Sequence, residues 1–274
     1  QFTLSFIFHH CIADTQGALV FHEDLEDALS HPTQIRSTDI VSTPTTDLLP
    51  PLEDLLSLPN SQEFLHRQQS YCAPSPETWT AAPQTIPVKG RFTSLWLSST
   101  TTRALREIAK EEKSSITAML HSLLAASLFH ILPPTYTTLD ADCAVSLRRW
   151  LPSPITTSSI GCFVGSFAQT YSRGSFSWCE ARRTKATIDQ VVESKGADMP
   201  VGYLRYVPNM HRWFGHKLGR QRSSAFELSN VGKLSPLKKQ MDYQIDGLLF
   251  SQSASACSAA IKVSAVTGRD EKLA

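Results

Sequence analysis

The chain has 274 residues, 41% of them hydrophobic, with 26 basic and 25 acidic side chains and a formal net charge of +1. That length holds one large or two ordinary domains with a sizeable core, and the interspersed charges form no basic stripe for nucleic acid or an anionic membrane. Six scattered cysteines (Cys11, Cys72, Cys143, Cys162, Cys179 and Cys257) show neither a C-x-x-C pair nor zinc spacing, and so read as free thiols of a reducing, cytoplasmic compartment.

Residues 2–8 are rich in aromatic and β-branched side chains and predict a buried strand. The strand runs into His9-His10-Cys11-Ile12-Ala13-Asp14. From Gly17 to Leu29 an amphipathic helix follows, with Leu19, Val20, Leu25 and Ala28 inward and Glu23, Asp24, Glu26 and Asp27 outward. Strand, loop and helix together present His10-x-x-x-Asp14. Imidazole titrates near neutral pH, and the carboxylate is placed either to neighbour it or to brace the turn. A motif this short recurs by chance, so its context must carry it.

Residues 31–90 change character. Pro32, Pro44, Pro50, Pro51, Pro59, Pro74, Pro76, Pro83 and Pro87, mixed with Ser and Thr, forbid long regular elements. The stretch predicts an interdomain crossover with one short helix over residues 61–69. Regularity returns at Arg91. Residues 92–97 predict a strand, Ser98 or Ser99 caps a helix to about Lys110, and Ser114 or Ser115 caps another through Ile116, Met119, Leu120, Leu123, Leu124 and Leu128. Residues 119–132 are too short and too interrupted by polar side chains to cross a bilayer, and predict a core helix.

Further strands are predicted over residues 143–147 and 160–167, a helix over 176–194, an irregular or short-helical stretch over 200–221, and strands over 226–232, 248–250 and 260–266. Antiparallel hairpins are expected late in the chain, and no internal repeat is present. Most isolated histidines read as structural: His9 as a packed or hydrogen-bonded strand residue, His22 as surface, His121 and His130 as core or edge. Nothing has metal-ligand spacing. Arg205, His211, Arg212, Lys217, Arg220 and Arg222 suit either phosphate contacts or a solvated basic loop.

Three segments now occur in order: His9-His10-x-x-x-Asp14; Leu147-Arg148-Arg149-Trp150-Leu151-Pro152 with Ile160-Gly161-Cys162-Phe163-Val164; and Ser229-Asn230-Val231-Gly232 with Phe250-Ser251-Gln252-Ser253 and Val266-Thr267-Gly268-Arg269-Asp270. Across the whole chain this set resembles the fungal alcohol O-acetyltransferases, relatives of the plant-type acyl-CoA-dependent acyltransferases, the peptide-synthetase condensation domains and chloramphenicol acetyltransferase. The resemblance implies an α/β (α+β) fold of two similar mixed-sheet sandwich domains around a tunnel, with the first only partly present in an N-terminally truncated fragment. Residues 1–30 would then be a remnant of the N-terminal domain, 31–90 a crossover linker and 91–274 the C-terminal domain.

By the same resemblance the chain acts as a monomer on a small-molecule alcohol and acetyl-CoA or another acyl-CoA, with no other cofactor. His10 is the general base for direct attack of the alcohol on the thioester. Asp14 points away from the substrate to pair with Arg148, although Arg148 and Arg149 can also be read as a surface cap on a strand end. Ser229, Asn230 and Gly232 are candidates for contact with the acyl-CoA, and no oxyanion donor is assigned. Two positions depart from the family: Thr15 where glycine commonly follows the aspartate, and Cys162 where related enzymes often have asparagine. The competing readings are a condensation-type domain fed by carrier-bound acyl groups and an inactive truncated remnant.

Overall fold

The computed structural model describes residues 2–31, 45, 47–69, 72–83, 85–236 and 243–274. Four strands form one mixed sheet: β1 (Thr138–Ser146), β2 (Val164–Ser172), β3 (Phe226–Lys233) and β4 (Ile261–Thr267), in the order β2-β1-β3-β4. β1 and β2 are antiparallel from Thr138↔Ser172 to Ser146↔Val164, whereas β1–β3 and β3–β4 are parallel. β3 and β4 do not form a hairpin, and the expected late antiparallel hairpin lies instead at the end of the chain, where Thr267 bridges Leu273 and Val266 and Ala274 exchange N–H to carbonyl bonds at 3.0 and 2.9 Å. The long connection over residues 234–260 carries the chain back to the starting end of β3, which parallel pairing requires and a tight turn cannot do.

The helices are α1 (Thr15–Ser30), α2 (Leu52–Leu55), α3 (Gln62–Gln69), α4 (Ser99–Glu111), α5 (Ile116–Ile131), α6 (Trp178–Glu193), α7 (Pro200–Tyr203) and α8 (Met210–Gly215). Ser98 caps α4 by accepting from Thr101 N, and Ser115 caps α5 by accepting from Ala118 N, as the sequence predicts. α5 lies on one sheet face, where its Ala125 and Phe129 pack with Leu139, Ala141, Tyr171 and Phe226. No single helix is long and apolar enough to cross a membrane.

One polar thread crosses this core. His121, 0% exposed, has Nδ1 2.8 Å from the Tyr171 hydroxyl and Nε2 3.1 Å from the Asp142 carbonyl oxygen. A carbonyl can only accept, so Nε2 carries the proton and the Tyr171 hydroxyl donates to Nδ1. Burial pushes the His121 pKa down to about 4. The opposite face alternates to acids and their partners. Thr170 Oγ1 donates to Asp140 at 2.6 Å, Lys262 meets Glu227 at 2.8 Å, and Ser224 donates to Asp142. Burial raises the Asp142 pKa to about 6.

Several predicted strands are corrected. β1 begins at Thr138 rather than residue 143, because Asp140 and Asp142 occupy its polar face and disguise the alternation. β2 begins at Val164, leaving Ile160 to Phe163 as a loop. Residues 2–8 pair with no strand among the described residues, and Ile7 is 91% exposed. Phe6 instead stacks on Phe21 with ring centres 3.9 Å apart. Residues 92–97 make a single bridge, Leu97↔Leu273, and 248–250 form no strand. Within 31–90, Pro32 and Pro44 lie outside the described residues, α2 and α3 are short helices, and Leu52 and Leu58 pack with Leu147, Phe163 and Met199.

Candidate active site

The His10 turn is tied off by its own backbone: Ile12 N donates to His9 O at 3.1 Å, and Cys11 N donates to His9 Nδ1 at 3.2 Å. His9 is therefore hydrogen-bonded but exposed in a turn, not packed in a strand. Asp14 follows as the N-cap of α1, where Oδ1 accepts from Gly17 N at 2.9 Å. An aspartate suits this place because it accepts from orphan helix N–H groups and faces the positive end of the helix dipole.

Asp14 is 5% exposed, and so is Arg148. Arg148 Nη1 reaches Asp14 Oδ2 at 2.7 Å and Nη2 reaches Oδ1 at 2.9 Å, a bidentate pair. The same Nη2 donates to the carbonyls of Ser159 (3.0 Å) and Gly161 (3.1 Å). Phe163 N donates to Asp14 Oδ2 at 2.9 Å, Asp14 N donates to Gly161 O at 3.0 Å, and the guanidinium carbon lies 5.0 Å from the Phe163 ring centre. Oδ1 is thus occupied by Gly17 N and Arg148 and Oδ2 by Arg148 and Phe163 N, and none of these bonds goes to His10. Arg148 is buried, which excludes the surface-cap alternative.

His10 is exposed, and its one described hydrogen-bond contact is Nδ1 with Cys162 Sγ at 3.7 Å. No described group meets its Nε2. Burial, followed by the charge of Asp14, pushes the Cys162 pKa up to about 11, so the group stays a thiol. Thr15 is simply the first residue of α1 and is not among the residues with positive φ. Gly17 marks the close approach of helix and loop: a Cβ there would lie 3.4 Å from both Ala13 Cβ and Gly161 N, in van der Waals contact.

α1 is fastened at its other end by a pair that the sequence reading placed outward. Glu26 is buried and accepts both Arg269 Nη1 contacts, at 2.6 and 2.7 Å, and Ile245 N at 2.7 Å. Ala28 is exposed instead, and His22 is half-buried with its pKa lowered by burial. Arg269 belongs to the Val266–Asp270 segment, 243 residues away in sequence, so only the fold brings it to Glu26. Between the ends, Leu19 packs with Leu234, Leu248 and Val266.

Ser229, Asn230 and Gly232 lie on β3, with Ser229 buried. Asn230 Nδ2 donates to Thr117 Oγ1 at 3.0 Å, Gly232 N donates to Asn230 Oδ1 at 3.0 Å, and Gly232 has φ +81° in a bulge. Among the described residues no hydrogen bond joins these three to the His10 turn. In the basic stretch, Lys217 sits 3.7 Å from the Trp213 ring centre, and Arg222 donates to the carbonyls of Ser255 and Ser258. Among the described residues no group of three or more His, Cys, Asp and Glu side chains is placed to hold a metal ion.

The family model described as alcohol acetyltransferase matches residues 1–273. An Aspergillus fumigatus protein named "Probable alcohol acetyltransferase" is 33% identical over 297 residues, which cover 100% of this chain and 63% of the relative. A Fusarium pseudograminearum protein of the same description is 26% identical over 295 residues, covering 96% of this chain and 60% of the relative. The chain therefore spans less than two thirds of the length of these curated relatives. Among solved structures, the trichothecene 15-O-acetyltransferase of Fusarium sporotrichioides aligns with a TM-score of 0.66 at 15% identity, over 95% of this chain and 58% of that one. The epimerization domain of tyrocidine synthetase B aligns with a TM-score of 0.54 at 17% identity, over 97% of this chain and 60% of that one. These structural likenesses speak for the fold. The family match over residues 1–273 goes further: this chain belongs to the alcohol acetyltransferase family.

Proposed function

We propose that the protein transfers an acetyl group from acetyl-CoA to the hydroxyl of a small-molecule alcohol, with His10 as general base. In this reading Nε2 takes the hydroxyl proton while the oxygen attacks the thioester carbonyl. The tetrahedral intermediate then expels the coenzyme A thiolate, which is protonated from the imidazolium. The observation that carries this reading is the division of labour in the turn. His10 is exposed with Nε2 unpartnered among the described residues, while Asp14 is buried and fully occupied by Arg148, Gly17 and Phe163. Asp14 is therefore a structural group that holds the turn and not a proton carrier.

Residues 1–30 deliver the base in this scheme, residues 31–90 connect, and residues 91–274 supply the loop that receives Asp14. Six unpaired cysteines support a reducing, cytoplasmic setting, and the reaction asks for no second subunit. Direct attack predicts that incubation with acetyl-CoA alone leaves the protein mass unchanged, and that ester and free coenzyme A appear together once an alcohol is added. A stable 42 Da adduct, the mass of one acetyl group in place of a hydrogen, would argue instead for an acyl-enzyme route.

A further inference from the structure

We infer that Cys162 is a positioning residue that sets the tautomer of His10; the inference rests on the proposed base role, from which the expected tautomer follows, and its test reads the tautomer directly, apart from activity. Cys162 Sγ faces His10 Nδ1 at 3.7 Å, within the longer reach of sulfur hydrogen bonds. The other ring nitrogen, Nε2, has no described partner. A base must present a lone pair at the nitrogen that meets the hydroxyl; the base reading therefore puts the ring proton on Nδ1 with Cys162 Sγ as its acceptor, whereas donation from the thiol to Nδ1 would leave the proton on Nε2. Which nitrogen of a histidine is protonated is set by the bond the other makes. In most sites a carbonyl or carboxylate fills that role. Asp14 is unavailable for it, because Arg148, Gly17 and Phe163 N occupy both oxygens.

The backbone explains why Cys162 can hold this place. On its N-terminal side, Gly161 O accepts from Asp14 N at 3.0 Å and from Arg148 Nη2 at 3.1 Å. On its C-terminal side, Phe163 N donates to Asp14 Oδ2 at 2.9 Å and Phe163 O accepts from Leu147 N at 2.8 Å. The ion pair therefore grips both neighbours of Cys162 and leaves its side chain directed at the His10 turn. Asp14 and Arg148 act on the base through Cys162, without touching it.

The test is the ring tautomer of His10, read from nitrogen-15 shifts of the substrate-free protein at a pH where the ring is neutral and assigned by the signal missing in His10→Gln. The inference predicts Nδ1–H in the wild type, a shift towards Nε2–H in Cys162→Ala, and recovery of Nδ1–H in Cys162→Ser, whose hydroxyl accepts the same bond. Turnover should follow: kcat about tenfold lower in Cys162→Ala, the worth of one hydrogen bond, with KM for acetyl-CoA unchanged and kcat restored in Cys162→Ser. The same tautomer in wild type and Cys162→Ala, or Nε2–H in the wild type, would overturn the inference whatever the activity. Full activity of His10→Gln would instead overturn the base reading and leave the tautomer result standing.

Discussion

Arg148 holds Asp14 through two parallel contacts of 2.7 and 2.9 Å across 134 residues of sequence, and both side chains are sealed from solvent. Breaking such a pair by removing one partner strands a buried charge. Arg148→Ala should therefore cost about 3–5 kcal/mol in a denaturant titration. Asp14→Asn should also destabilise, and the double variant should fall short of the sum by about 1 kcal/mol or more. Additive losses would show that the two residues act independently.

Arg269→Ala offers a contrast at the far end of the same helix. It leaves Glu26 buried with, among the described residues, only the Ile245 N–H for a partner, so stability should drop by a similar amount. The His10 turn lies at the opposite end of α1. Hydrogen exchange should therefore quicken over the last turns of α1 and not at Asp14. Equal loss of protection along the whole helix would contradict separate anchoring of its two ends.

Gly161 tests the loop side of the site. A Cβ there would come within 2.5 Å of the Phe163 ring, the ring that lies against the Arg148 guanidinium. Gly161→Ala should displace the ring, cost about 1–3 kcal/mol and reduce turnover. Unchanged stability and turnover would mean that the ring is free to move without disturbing Arg148.

An opposed pair of titrations sits where α5 meets the sheet, at His121 of α5 and Asp142 of β1. His121 has a folded pKa of about 4 against an ordinary 6.5, so the unfolded chain binds more protons between those values and stability falls as pH drops through that window. Asp142 has a folded pKa of about 6 against 3.8. The folded state binds more protons there, and stability rises as pH falls from 6 towards 3.8. At 1.36 kcal/mol per unit each effect is about 3 kcal/mol at most, and the two largely offset. Asp142→Asn should be more stable than wild type at pH 7 and should lose stability more steeply between pH 6.5 and 4.5. Parallel wild-type and variant curves would contradict the Asp142 assignment.

Local chemistry made part of this legible in advance. Ser98, Ser115 and Asp14 are side chains that bond their own helix, so their role is visible within four residues. The polar face of β1 was hidden because Asp140 and Asp142 look like a break until Thr170 and Ser224 are brought beside them. Residues 2–8 have strand composition, but a strand also needs a neighbour, and composition is silent on that. Glu26 reads as solvent-facing on a helical wheel, and only the fold delivers Arg269 to it. Cys162 was noticed as a departure from the family, while its contact with His10 depends on a loop that the strand prediction had straightened.

The central claim is that His10 removes the proton from the attacking alcohol. The direct measurement is the alcohol-dependent release of coenzyme A from acetyl-CoA by wild type and His10→Ala, across a panel of alcohols, with folding checked by circular dichroism. The account predicts a kcat lower by a factor of about a hundred or more in the variant, with its fold and melting temperature kept because His10 is exposed. Near-normal alcohol-dependent turnover in a folded His10→Ala would contradict it.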